Sequence, residues 1–156
     1  MKVFISYGNT ADQVTALRLQ ALGAVNGLTV YVPPAYTREA ASMLLDPDVA
    51  EKLDGAEVVL GVVGAGFSEA CRVELNRGIS LNKNTIVMSY PMFAGMLQPH
   101  FGPNLVIVDP MHPDGAEAEI VQRLKALNTQ QDAQKTLLAL GTVALGLLIF
   151  ATADRT

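Results

Sequence analysis

The sequence predicts an α/β fold: a five-stranded parallel, doubly wound sheet with helices on both faces, followed by a hydrophobic C-terminal helix. Three observations predict it. Five runs of strand length are rich in β-branched and aromatic residues and are apolar nearly throughout, as strands covered on both faces must be. Helix-like patterns separate those runs, and the alternation strand–helix–strand is the mark of parallel crossover units. The chain then closes on a long stretch without charge.

Taken in order, "KVFISY" (2–7) is the first strand, and "ADQVTALRLQALGA" (11–24) is a helix with Asn9 or Thr10 as its cap. Val14, Leu17 and Ala21 fall on one apolar stripe of that helix, the face expected to meet the sheet. "LTVYV" (28–32) is the second strand, stopped by Pro33 and Pro34, which open a long loop over 33–46. A short helix over 47–53 leads to the third strand, "EVVLGVV" (57–63), and to a helix over 68–81 with Ser68 at its N-cap. The fourth strand, "TIVMSY" (85–90), precedes a second long loop, 91–103. The fifth, "NLVIVD" (104–109), precedes a helix over 114–127. Both loops begin at carboxyl ends of strands, where doubly wound sheets place their ligand crevice, and loops of that length in compact domains are commonly functional.

The domain organisation that follows is a globular domain over 1–128, a polar linker over 129–135 and the hydrophobic segment 136–153. That segment, "TLLALGTVALGLLIFATA", would span about 27 Å as a helix at roughly 1.5 Å per residue, enough to read it as a membrane-embedded tail anchor. A buried helix packed against another subunit is the alternative, which Gly141 and Gly146 also permit.

Composition excludes several classes. A net charge of −4 with no Lys/Arg cluster argues against a nucleic-acid partner. The single cysteine, Cys71, excludes an internal disulfide framework and fits a reducing compartment. The opening "MKVFISYGN" lacks the basic-then-apolar pattern of a signal peptide. With two separated histidines, no ligand set for a structural zinc is present, and no metal is expected. "GVVGAGF" (61–67) does not reproduce the G-x-G-x-x-G spacing of dinucleotide-binding dehydrogenases, which disfavours hydride transfer.

One carboxylate stands out. "GFSEACRVELNRG" (66–78) centres on Glu74, which spacing alone leaves as an ordinary solvated helix charge. The surrounding segments change that reading. "VFISY" resembles the first box of Toll/interleukin-1 receptor (TIR) domains, and "VYVPP" resembles the second strand of bacterial members, where it leads into the BB loop. "LDGAEVVLGVVGAGFSEACRVEL" is similar to the third strand and helix of the family, with a Ser-x-x-Cys-x-x-Glu-Leu pattern at Ser68, Cys71, Glu74 and Leu75. "NTIVMSYP" is similar to the fourth strand. The resemblance covers residues 1–128 in order and implies a flavodoxin-like TIR fold.

The family divides between enzymes that cleave NAD+ at the nicotinamide–ribose bond and adaptors that only assemble. In the enzymes a glutamate of the third helix is essential, and Glu74 occupies its position. The resemblance therefore implies an NAD+ glycohydrolase or cyclase, with NAD+ as substrate and no further cofactor, in a setting of anti-phage defence. It also implies self-association through the TIR domains, with the BB loop moving on assembly. The chemistry suits one carboxylate: bond cleavage builds positive charge on the ribose while neutral nicotinamide departs, so a fixed anion suffices and no general acid is required.

Around Glu74, Ser6, Gly8 and Asn9 at the end of the first strand, Tyr36 and Arg38 in the BB-like loop, and Ser68 and Cys71 on the third helix are the candidates for holding the substrate. Gly8 gives room for close backbone approach. Arg38, Arg72 or Arg77 is the candidate for the diphosphate, each read also as a solvated charge; Tyr36 is a candidate for stacking on a ring. Cys71 is read chiefly as a packing residue, with no neighbouring base to activate it. His100 and His112 are read as surface residues. Together with the tail, this places the domain on the cytoplasmic side of the inner membrane. The runner-up is a non-catalytic membrane-anchored scaffold in which Glu74 is a surface charge.

Overall fold

A computed structural model describes residues 1–39 and 45–153, with side chains described up to residue 135. It contains two compact units, Met1–Val121 and Gln122–Thr156. In the first unit the elements run β1 (Lys2–Tyr7), α1 (Thr10–Val25), β2 (Thr29–Tyr31), a 3-10 turn (Ala35–Arg38), α2 (Pro47–Asp54), β3 (Val58–Val63), α3 (Glu69–Ser80), β4 (Asn84–Ser89), α4 (Pro91–Phe101), β5 (Leu105–Ile107) and the start of α5 (Pro113–Ala153).

All strand pairs are parallel and the order is β2-β1-β3-β4-β5. β1 leads outward to β2 on one side, whereas β3, β4 and β5 build on the other. The chain therefore reverses direction between β1 and β3, and the crevice beyond their carboxyl ends is where doubly wound sheets bind ligands. Register puts Ser6 opposite Gly61 and Tyr7 opposite Val62 at that end.

Every residue of β3 is buried, which is why its sequence shows no polar alternation. One face of the sheet is covered by α2, α3 and α4: Phe4, Val59, Val63 and Val87 pack with Val49, Leu53, Cys71, Leu75, Leu97 and Phe101. Gly61 lets α3 lie close, since a Cβ there would sit 2.9 Å from a Leu75 methyl. Gly78 does the same one helical stretch later, where a Cβ would meet Val59 at 2.9 Å.

Two expectations need correction. The stretch 91–103 is not a long loop, because α4 occupies Pro91–Phe101 with Pro99 inside it. Pro91 suits the first helical turn, where its missing N–H has no partner to lose, and burial of Leu97 and Phe101 fixes the rest. The apolar stripe of α1 does not face the sheet either: Val14, Leu17 and Ala21 are exposed, and the buried face is Asp12, Ala16, Leu19 and Gly23. Small residues decide this. A Cβ on Gly23 would come within 2.6 Å of a Val30 methyl, so the helix approaches the sheet on its narrow side.

In the second unit α5 continues as helix through 129–135, the stretch expected as a linker, and on to Ala153. Within it the Thr129 hydroxyl donates back to the Lys125 carbonyl, four residues earlier, at 3.0 Å. The side chains of the expected membrane tail, 136–153, lie outside the described residues. Among the described residues no helix is long and apolar enough to cross a membrane.

Candidate functional site

The carboxyl end of β1 places Ser6, Tyr7 and Gly8 at the crevice. Asn9 then caps α1, its side-chain oxygen accepting from the Asp12 N–H at 3.0 Å. Across the crevice Ser68 caps α3 by accepting from the Cys71 N–H at 3.3 Å. The two element ends touch: a Cβ on Gly8 would lie 2.8 Å from Ser68 Oγ, so only glycine admits this approach without a shift.

One turn into α3, Glu74 points inward and is fully buried. Ser6 Oγ donates to its Oε1 at 2.7 Å. Arg38 grips the same carboxylate with a two-pronged ion pair, Nη1 to Oε1 at 2.6 Å and Nη2 to Oε2 at 2.5 Å. Its side chain is itself only 4% exposed. Nη1 also donates to the Tyr7 carbonyl at 3.0 Å, and the guanidinium carbon stands 5.1 Å from the centre of the Tyr7 ring, within cation–π range. Burial by itself would push the Arg38 guanidinium down, but the hydrogen bonds and charge of Glu74 outweigh it and hold it above its ordinary value.

The turn that delivers Arg38 is well anchored. Tyr7 Oη donates to the Pro33 carbonyl at 2.6 Å, and Thr37 Oγ1 donates to Pro34 O at 2.6 Å. Arg38 Nε in turn donates to Thr37 Oγ1 at 3.1 Å. Burial raises the Tyr7 hydroxyl above the ordinary phenol value, with Arg38 partly offsetting it.

Beside this cluster lies a cleft of ≈160 Å³ lined by Tyr7, Gly8, Asn9, Thr10, Ala35, Arg38 and Glu39. That is below the roughly 300–1,000 Å³ usual for sites that enclose a drug-sized ligand. Arg38 lines the cleft and also holds Glu74, which does not itself line it.

Of the residues expected around the substrate, the fold brings Ser6, Gly8, Asn9, Arg38, Ser68 and Glu74 to one end of the sheet. Cys71 is fully buried in the α3 face of the core, and burial pushes its thiol up to about 12. Tyr36 is 69% exposed. Two of the charge readings change. Glu74 is not a surface charge, and Arg38 is not a solvated one. Arg72 is exposed and Arg77 half-buried, and they pair with Glu69 and Asp54 at 2.6 and 2.7 Å. His100 and His112 are both exposed.

Sequence reasoning missed Asp12. It is buried on α1, and its carboxylate accepts from the backbone N–H of Gly64 at 3.2 Å and of Ala65 at 2.9 Å. It thereby holds the loop that leads from β3 to Ser68. Burial raises its carboxyl above the ordinary range, opposed by those N–H bonds. It lies three residues after the cap Asn9, in the first turn of the helix, where an acid ordinarily serves the helix dipole at the surface.

No protein-family model matches the chain, and no curated protein does at a significant level. Among solved structures it is similar to a Klebsiella pneumoniae protein assigned as a quinone reductase, with TM-score 0.52 and 11% identity over 81% of this chain and 85% of that one. A 2-deoxyribosyltransferase from Bacillus psychrosaccharolyticus reaches TM-score 0.47 at 15% identity, over 57% of this chain and 72% of that one. A flavodoxin, WrbA-like protein from Agrobacterium tumefaciens reaches 0.48 at 10% identity, over 83% and 97%. At these identities the likeness concerns the fold alone, which is the flavodoxin-like arrangement read from the strand order.

Proposed function

We propose that the chain is a TIR-type NAD+ glycohydrolase in which Glu74 is the reactive carboxylate. The observation that carries the reading is a fully buried glutamate at the reversal point of the sheet, next to a cleft. An ion pair in such a place is a poor stabilising device, since apolar residues of similar volume serve a core as well or better. Its presence at the ligand-binding end of the fold is better accounted for by chemistry.

The reaction proposed is heterolysis of the bond between ribose C1′ and the nicotinamide nitrogen. The bonding electron pair returns to the ring, releasing neutral nicotinamide, and water or an adenine nitrogen captures the ribosyl cation. Glu74 favours the positive charge as it grows, in a water-poor setting where a fixed anion is worth more than in bulk solvent. Ser6, on a rigid strand, holds Oε1 in place. The tail 136–153 tethers the domain to the inner membrane from the cytoplasmic side, and confinement to that surface raises the effective concentration for self-association.

A second reading is favoured by one observation: both oxygens of Glu74 are already engaged. In that reading the Arg38–Glu74 pair only shapes the 3-10 turn as a docking loop, and the protein is a membrane-anchored TIR scaffold. Incubating the full chain with NAD+ over a range of protein concentrations, and following nicotinamide by mass spectrometry, separates the two. The enzyme reading expects release that rises faster than protein concentration and vanishes in Glu74→Gln. No release at any concentration favours the scaffold.

A further inference from the structure

With Arg38 set aside, what remains around its guanidinium is a compartment with a defined chemistry. One wall is the Glu74 carboxylate, presenting both oxygens; another is the face of the Tyr7 ring; a third is the Tyr7 carbonyl oxygen. A bidentate anion, a π-face and a lone carbonyl acceptor together select a flat, delocalised cation over a compact ammonium. All three belong to β1 and α3, elements of the packed core, whereas Arg38 is carried on a turn outside them. Receptor and occupant thus sit on different parts of the fold.

We infer that the Glu74 compartment is a binding site for planar cations, that Arg38 is its resident occupant in cis, and that a cationic pyridinium ligand enters by displacing that guanidinium. The inference deepens the proposed function and rests on it for the link to cleavage; the cation site itself does not. Release by deprotonation is not available, because an arginine keeps its proton at any working pH. Displacement is the remaining route. The cleft of ≈160 Å³ that Arg38 lines supplies the approach. While the occupied state dominates, apparent affinity for any competing cation falls by the fraction of molecules in which the compartment is open.

The experiment uses the full chain and two probes, methylguanidinium and 1-methylnicotinamide, with sodium chloride as the ionic control. Arg38→Ala is expected to gain thermal stability with millimolar methylguanidinium, beyond the wild type under the same conditions. Arg38→Ala/Glu74→Gln should show no such gain, and 1-methylnicotinamide should compete in Arg38→Ala. Should Arg38→Ala not fold, Arg38→Lys takes its place. A tethered ammonium lacks the planar fork, so the same probe displaces it and raises the unfolding midpoint. Absence of a methylguanidinium effect in the folded variant, or an equal effect with Glu74→Gln present, overturns the inference. Nicotinamide release is read in parallel: removing the occupant should lower KM for NAD+ about tenfold, if the open fraction is near a tenth. Cation binding without any release upholds the site and overturns the cleavage reading instead.

Discussion

At the residue scale the governing fact is that Glu74 and Arg38 are each other's solvent. Both side chains are buried, and each bonds the other through two short contacts. Removing one partner of a buried pair strands the other charge, a loss of about 3–5 kcal/mol. Glu74→Gln and Arg38→Met should each lower stability by that order in urea titrations, while the double variant should recover much of it. Independent, additive losses would mean that the two side chains do not depend on each other in solution. Cys71 offers a separate check. Its thiol is held at about 12 by burial, whereas a cysteine in the unfolded chain ionises near 8.5. The native protein should resist thiol reagents at neutral pH and react only on unfolding. Between about pH 9 and 12 the unfolded state releases a proton that the native state keeps, so stability should fall as pH rises through that window. A native thiol that reacts rapidly at pH 7 would contradict the burial. The packing role of Cys71 was legible in the sequence, but the Arg38–Glu74 pair was not. Arg38 and Glu74 lie 36 residues apart, and nothing local says that a loop arginine will fold back under a helix.

At the element scale the strands were the most readable part, because burial on both faces writes itself into the sequence as unbroken apolar runs. β1 and β3 appear where "KVFISY" and "EVVLGVV" stand, with ends moved by at most a residue. The helices were readable in existence and misread in detail. The stretch 91–103 read as a loop is mostly helix, because two buried side chains, Leu97 and Phe101, outweigh the proline near the helix end. On α1 the stripe of larger apolar residues is not the inner face: Ala16 and Gly23 form the closer contact, and Asp12 is turned inward to tie down Gly64 and Ala65. Two substitutions test these contacts. Gly61→Ala pushes a methyl into Leu75 and should cost about 1–3 kcal/mol of stability, in the range of overpacked cores. Ser68→Ala removes the α3 cap and should cost about 1 kcal/mol. If Gly61→Ala is neutral in a denaturant titration, α3 does not lie as close to the sheet as described.

At the scale of the whole molecule, the strand order brings residues from three separated segments, 6–9, 35–39 and 68–74, to one end of the sheet. That convergence was foreseeable once a doubly wound sheet was inferred, since its loops share an end by construction. What the convergence produces was not foreseeable: the acid is sealed, and the seal is one of the residues expected to hold the substrate's phosphates. In this arrangement the carboxylate proposed to react is present, held by Ser6 and covered by Arg38. The cover is proposed to lift when a cationic ligand displaces Arg38, and the tail 136–153 is proposed to hold the domain at a membrane surface, where self-association is favoured. The most direct test is the rate of nicotinamide release from NAD+ by the full chain at high protein density on vesicles, wild type against Glu74→Gln. The account predicts steady release by the wild type and loss of it in the variant; equal rates in the two, or none from either, would contradict it.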